Sequence, residues 1–127
     1  MGVKAAFESM DVKKDVFAKL VDALPKDAIL ASNTSYLDIN ELVATLSDPS
    51  RVVGLHFFAP AHIRKLLEIV RGAQTSDSAL DSGFALGKKL RKIPVLDGVC
   101  DGFIGNRMLA RYREAADTVF MDGATPW

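Results

Sequence analysis

The sequence alternates short β-prone apolar runs with amphipathic helical segments, and this alternation constrains the fold more than any other feature. The β-prone runs lie at 3–7, 28–32, 51–58, 66–70 and 93–96, and the helical segments lie at 11–24, 38–46, 76–90 and 103–121. Strands that alternate with helices predict an α/β fold with a largely parallel sheet. The third and fourth runs have no helix between them, which predicts an antiparallel pair, and Pro94 predicts an edge position for the last strand.

Composition and charge exclude several classes of function. Sixteen Lys and Arg balance sixteen Asp and Glu, so the zero net charge argues against nucleic acid as a partner. The single cysteine, Cys100, allows no intrachain disulfide and no cysteine metal cluster, and we expect it to be a small buried residue. We predict no metal site. No apolar run approaches the roughly 20 residues of a membrane helix, and no signal segment is visible, so we expect a cytoplasmic protein without a membrane span.

His56 and Glu68 are polar residues inside two strongly apolar β-prone runs. A buried histidine is costly unless it is hydrogen-bonded, and a backbone carbonyl would satisfy it without any function. If the two runs are neighbours, however, Glu68 can reach His56 and set its tautomer. The two residues would then form a general acid/base pair. His62 falls in a predicted turn, where we expect it to be exposed.

Two polar segments are further candidates for ligand binding. Ser32, Asn33, Thr34 and Ser35 follow a buried run, and open α/β sheets bind ligands at the carboxyl ends of their strands. Asn106 lies at the start of the last predicted helix, where helix N-termini favour polar ligand groups. A polar loop and an exposed helix position would explain both segments equally well. The apolar stripes of the predicted helices are interpreted as core.

Four ordered motifs carry a resemblance to a known family. They are ASNTS at 31–35, GLHFFAPAH at 54–62, LLE at 66–68 and DGFIGNRML at 101–109. Their order and spacing resemble the NAD-dependent L-3-hydroxyacyl-CoA dehydrogenases of fatty-acid β-oxidation over about residues 3–125. The wording FESMDVKK at 7–14 and GVCDGF at 98–103 is most similar to the dehydrogenase part of multifunctional β-oxidation enzymes.

The resemblance implies roles for four catalytic residues. His56 would take the proton of the substrate 3-hydroxyl, and Glu68, twelve residues later, would orient the imidazole and stabilise its charge. Ser35 would contact the substrate and the nicotinamide, and Asn106 would help to hold the reacting groups. The implied reaction is hydride transfer from C3 of an acyl-CoA substrate to NAD.

The resemblance also implies where the cofactor binds and where the chain departs from the family. Glu8, Lys13, Ser35 and Ala59 would contact NAD, although Ala59 stands where the family often has Asn or Ser. Arg64 stands where an apolar residue is usual. The choice of NAD over NADP rests on the resemblance alone.

Only part of the family's fold is implied by the matching residues. Residues 1–98 would form the C-terminal part of a Rossmann-like NAD-binding domain, and residues 99–127 would begin an all-α C-terminal domain. The glycine-rich βαβ unit that precedes this region in the family is not in the sequence. The strand at 3–7 would then be an edge, partly guarded by Lys4. We therefore expect a homo-oligomer, or a partner chain that supplies the βαβ unit.

Two other functions remain open from the sequence. The chain would fit an inactive fragment that serves as an interaction module or an acyl-CoA-binding module. It would also fit a 3-hydroxybutyryl-CoA dehydrogenase, because that enzyme shares the same four catalytic positions.

Overall fold

The five strands lie in the sheet in their order along the chain, in a computed structural model that describes residues 1–4 and 8–125. They are β1 (Gly2–Lys4), β2 (Leu30–Ser32), β3 (Val52–Phe57), β4 (Leu66–Arg71) and β5 (Ile93–Gly98). The pairs β1–β2, β2–β3 and β4–β5 are parallel, and β3–β4 is antiparallel. The expected Rossmann-like, mostly parallel sheet is thus confirmed. Residues 5–7 of the predicted first strand lie outside the described part.

In the described ranges, four α-helices flank or extend this sheet. They are α1 (Met10–Ala23), α2 (Ile39–Val43), α3 (Asp77–Lys89) and α4 (Gly105–Met121). Side chains of successive strand residues point to opposite faces, so each face of the sheet has its own core. Phe17 of α1 packs with Leu30 and Val52 on one face, whereas Ala79 of α3 packs with Val53 and Ile69 on the other. Helices therefore cover both faces of the sheet.

Helix α2 is shorter than its sequence pattern predicts. Asp38 caps it by accepting a hydrogen bond from the Asn40 amide at 2.7 Å. Glu41 does not complete a capping box, because its carboxylate pairs with Lys14 at 2.9 Å. The amide of Leu46 bonds to the carbonyl of Val43 in a tight turn, so the predicted extension to Leu46 is wrong.

Helix α4 has the predicted position but not the predicted burial. Its apolar stripe of Ile104, Met108, Tyr112, Ala115 and Val119 was expected to be core, yet α4 contains no buried residue. Met108 is 69% exposed and Tyr112 is 74% exposed. The stripe fails as core because no other described element covers it. Cys100 is half-buried rather than buried.

The described part of the chain has neither a metal cluster nor a membrane helix. Among residues 1–4 and 8–125, no three His, Cys, Asp or Glu side chains are grouped so as to hold a metal ion. None of the helices in the same ranges is both long and apolar enough to cross a bilayer.

Candidate active site

The candidate site lies where the three parallel strands β1, β2 and β3 end. Their registers align Lys4 with Ser32 and Ser32 with Gly54, so the three strands run towards the same edge of the sheet. Ligands bind at this edge in open α/β sheets. The antiparallel strand β4 starts at this edge and contributes a residue from the opposite direction.

His56 and Glu68 face each other directly across β3 and β4. Nδ1 of His56 lies 2.5 Å from Oε2 of Glu68, and the two residues are 3% and 0% exposed. The other carboxylate oxygen, Oε1, accepts hydrogen bonds from the amides of Gly105 at 2.7 Å and Ile104 at 3.2 Å. A carboxylate with these donors is an acceptor, so Nδ1 carries the proton and Nε2 is left as a base.

Aromatic rings enclose the imidazole. The ring centroids of Phe58 and Phe103 lie 4.4 and 5.6 Å from that of His56. Gly105 permits this packing, because a Cβ there would lie 2.6 Å from Cζ of Phe58. Apolar surroundings strengthen the interaction between the imidazole and the carboxylate.

The start of α4 is held against the sheet by an unusual turn. Gly102 and Phe103 have φ values of +70° and +51°. Glycine adopts this left-handed region freely, whereas phenylalanine rarely does. The turn aims the first amides of α4 at Glu68, and the partial positive charge of a helix N-terminus favours a carboxylate there.

A second cluster forms around the carboxylate of Glu8. Its Oε2 pairs with Nζ of Lys13 at 2.7 Å, and its Oε1 accepts from Oγ1 of Thr34 at 2.5 Å and from the Ser35 amide at 2.8 Å. Nζ of Lys13 also donates to the carbonyl of Asn33 at 2.6 Å, and Lys13 is only 1% exposed. Burial alone would raise the pKa of Glu8, but the hydrogen bonds from Lys13, Thr34 and Ser35 outweigh it and lower that pKa.

Two amide side chains connect the loops that surround the site. Oδ1 of Asn33 accepts from the Phe57 amide at 3.1 Å, which ties the loop after β2 to β3. Nδ2 of Asn106 reaches the carbonyl of Ser35 at 3.4 Å, which joins α4 to the same loop. The structure thus brings together His56, Glu68, Ser35, Asn106, Glu8 and Lys13.

Ala59 and His62 are not part of this arrangement. Both are exposed in the loop after β3. Ala59 has no polar side-chain atom to offer a cofactor, and it lines a separate cavity together with Arg64. His62 was predicted to lie in a turn and to be exposed, and the structure shows both.

Sequence reasoning did not single out Asp97 or the role of Thr34. Oδ2 of Asp97 is buried and has no hydrogen-bond partner in the described part. Burial, followed by the nearby charge of Glu68, raises the pKa of Asp97. An acid that directly follows the apolar residues Val95 and Leu96 is the signal that could have identified it. Thr34 lay within the polar segment noted above, but its buried contact with Glu8 requires the folded chain.

A Rossmann-like sheet is the fold of a class of dinucleotide-binding domains, which bind their ligand at the edge where the parallel strands end, and the His56–Glu68 pair lies at that edge. Within that class, the family model described as "3-hydroxyacyl-CoA dehydrogenase, NAD binding domain" matches residues 1–99. The chain belongs to this family.

Individual relatives agree with this assignment. The peroxisomal bifunctional enzyme of Danio rerio is 44% identical over 124 residues, which are 98% of this chain and 17% of that protein. The 3-hydroxybutyryl-CoA dehydrogenase of Clostridioides difficile is 39% identical over 121 residues, 95% of this chain and 43% of that protein. The crystal structure of the Ralstonia eutropha (S)-3-hydroxybutyryl-CoA dehydrogenase matches with a TM-score of 0.93 and 36% identity, covering 98% of this chain and 44% of that one. The chain spans less than half the length of each relative.

Proposed function

We propose that this chain carries the catalytic residues for the NAD-dependent oxidation of (S)-3-hydroxyacyl-CoA to 3-oxoacyl-CoA in fatty-acid β-oxidation. The buried contact of 2.5 Å between His56 and Glu68 is the observation that carries the proposal. A histidine that only fills the core would need no more than a backbone carbonyl as its partner. His56 is instead paired with the fully buried carboxylate of Glu68, whose desolvation costs free energy. A carboxylate that fixes the tautomer of an imidazole is the arrangement that general acid/base catalysis uses.

The mechanism follows from the free nitrogen of the imidazole. Nε2 of His56 would accept the proton of the substrate 3-hydroxyl. The chemistry that bound NAD would supply is an acceptor for the hydride from C3. The new imidazolium is stabilised by the carboxylate of Glu68, which is already oriented by two backbone amides. Ser35 and Asn106, joined across the site, position the substrate hydroxyl and carbonyl.

The residues present fit the nicotinamide half of the cofactor. The side chain of Glu8 is 39% exposed at the carboxyl edge of the sheet, so its carboxylate can accept a hydrogen bond from a ribose hydroxyl. Lys13 is enclosed, and we assign it to holding Glu8 and the loop at Asn33 in place. The 127 residues contain no Gly-x-Gly-x-x-Gly sequence, so the pyrophosphate would be held by residues other than these.

The domain boundary is proposed near residue 98. The family model covers 1–99, and the left-handed turn at Gly102 and Phe103 separates β5 from α4. Residues 1–98 would be part of the NAD-binding domain, and residues 99–127 would begin a helical domain. The exposed stripe of α4 supports this boundary, because a helix of a second domain has its apolar face turned to its own neighbours.

The partner proposal concerns the edge of the sheet. Among the described residues β1 pairs only with β2, so its other side offers unpaired backbone groups. We propose that this edge pairs with a second copy or with a chain that supplies the βαβ unit. We also propose that the protein is cytoplasmic, although several relatives are named as peroxisomal enzymes.

The first test is NADH oxidation with acetoacetyl-CoA by the purified chain. We expect turnover that His56→Ala reduces by a factor on the order of 10³, with Glu68→Gln also strongly impaired. Circular dichroism and urea unfolding control for loss of fold. A folded chain without turnover would contradict catalysis by the chain alone and favour the acyl-CoA-binding module.

A narrower activity is the second candidate. Two of the relatives described above are 3-hydroxybutyryl-CoA dehydrogenases, and one of them matches in structure with a TM-score of 0.93. Comparing kcat/KM for acetoacetyl-CoA with that for a C10 3-oxoacyl-CoA distinguishes the two. A strong preference for the C4 substrate would favour the narrower activity.

A further inference from the structure

A cavity of about 580 Å³ lies between the loop after β3 and the outer side of α4. We call it the basic cavity. Its wall combines cationic and apolar side chains, namely Arg64, Lys65 and Arg113 together with Phe58, Leu66 and Leu109. This combination suits a ligand that is apolar along part of its length and anionic elsewhere.

The three cations of the basic cavity have no acidic partner among the residues that the structure describes. Within residues 1–4 and 8–125, no ion pair or hydrogen bond involves the side chain of Arg64, Lys65 or Arg113. Four other cavities of 480 to 600 Å³ each include at least one acidic side chain in their walls. Three unpaired cations around a concave surface attract an anion, because low-dielectric walls concentrate their field.

The backbone that carries two of these cations is fixed in place. Nζ of Lys92 donates to the carbonyl of Arg64 at 2.7 Å and also to the carbonyl of Ala61. The Ile93 amide donates to the carbonyl of Lys65 at 2.8 Å. A loop that is ordered before binding loses less conformational entropy when a ligand arrives.

The basic cavity adjoins the candidate active site through one side chain. Phe58 lines the cavity, and its ring centroid lies 4.4 Å from that of His56. A molecule that reacts at His56 can therefore continue past Phe58 and place a distant group among the cations.

We propose that the basic cavity binds the anionic part of the thioester substrate, through Arg64, Lys65 and Arg113. The shared chemistry is an anionic oxygen group, supplied either by the phosphates of the CoA carrier or by a carboxylate at the far end of the acyl chain. The inference rests on the proposed function, since it assumes that the substrate reacts at His56.

The test measures binding to the purified chain by calorimetry with three probes. These are acetoacetyl-CoA, S-acetoacetyl-pantetheine, which has no phosphate, and S-adipoyl-pantetheine, which carries a terminal carboxylate. The variant is Arg64→Gln/Arg113→Gln. The matched control is Lys19→Gln/Lys88→Gln, which changes the net charge equally at exposed residues outside the cavity.

We expect the cavity variant to weaken at least one anionic probe by about tenfold or more and to leave S-acetoacetyl-pantetheine unchanged. The control should bind all three probes as the wild type does. A loss confined to acetoacetyl-CoA assigns the site to the carrier phosphates, and a loss for S-adipoyl-pantetheine assigns it to an acyl carboxylate.

Three results would overturn the proposal: no binding of an anionic probe by the wild type, no loss in the cavity variant, or an equal loss in the control. His56→Ala separates this proposal from the proposed function. It should abolish turnover while the preference for the anionic probe persists.

Discussion

Glu8 shows how one carboxylate can order a whole loop. It binds the Thr34 hydroxyl, the Ser35 amide and the ammonium of Lys13, which in turn holds the carbonyl of Asn33. Contacts to Asn33, Thr34 and Ser35 therefore depend, directly or through Lys13, on one ionised carboxylate. Loss of that charge should loosen the loop without disturbing the core.

The lowered pKa of Glu8 predicts the direction in which the free energy of unfolding changes with pH. A depressed pKa stabilises the fold at pH values above the ordinary value of 4.5, and this contribution is lost as the pH falls through the lowered pKa. We expect the difference in free energy of unfolding between the wild type and Glu8→Gln to shrink on acidification. Urea unfolding between about pH 6 and pH 3 measures it. A difference that does not change with pH would contradict the assignment.

The close packing of Phe58 against Gly105 can be tested by adding a side chain at Gly105. In Gly105→Ala the new Cβ would lie 2.6 Å from Cζ of Phe58, so the ring or the helix must move. We expect a loss of about 1–3 kcal/mol in the free energy of unfolding. Gly98→Ala is the control, because its Cβ would meet nothing within 4 Å, and it should change stability by less than about 0.5 kcal/mol. Equal losses in the two variants would refute the packing argument.

Much of the candidate site could be predicted from the sequence, and particular residues show why the rest could not. His56 and Glu68 interrupt apolar strands, and the missing helix between those strands implied their antiparallel pairing. The two amides that bind Glu68 come from 36 and 37 residues away, beyond the reach of any local pattern. The burial of Lys13 could not be predicted from the sequence either, because a lysine on a helix is usually exposed.

At the scale of whole elements, the helices differ in what holds them. Helix α1 buries Phe17 completely in the core, whereas α4 buries no residue. Periodicity alone predicted an apolar face for both, since a sequence pattern marks a face without identifying its partner. The strand pattern was more reliable, because each strand finds its hydrogen-bonding neighbour among the other strands of the same sheet.

This difference predicts a large loss of stability when an aromatic side chain of α1 is replaced and a small loss when one of α4 is replaced. Phe17→Ala should cost about 3–5 kcal/mol in the free energy of unfolding, because it leaves a cavity in the core. Tyr112→Gln on α4 should change the same quantity by less than about 0.5 kcal/mol, because Tyr112 is 74% exposed. Denaturant titration at low protein concentration compares the two variants. A large cost for Tyr112→Gln would mean that the stripe is covered after all.

At the scale of the whole molecule, the unpaired side of β1 is the edge through which we propose that chains associate. The Gly2 amide donates to the carbonyl of Ile29, and backbone amides alternate in direction along a strand, so the Val3 amide points away from β2. Val3→Pro removes that outward donor while leaving the pairing with β2 intact.

We expect the wild-type chain to associate as its concentration rises and Val3→Pro to associate less. Light scattering across a concentration series measures both. A monomeric wild type at every concentration would exclude pairing of copies through this edge. Unchanged association in Val3→Pro would place the contact elsewhere.

Glu68 has a wider consequence, because its two oxygens serve different structures. One holds the imidazole of His56, and the other holds the opening amides of α4. Equilibria that share one group are reciprocally coupled, so the free energy by which the contact to α4 affects the contact to His56 equals the free energy by which the contact to His56 affects the contact to α4. A body, such as a second domain or chain, that is attached to the far end of α4 would thus affect the proton acceptor, Nε2 of His56, through the side chain of Glu68 alone. Proton uptake there would in return change how firmly that body is held.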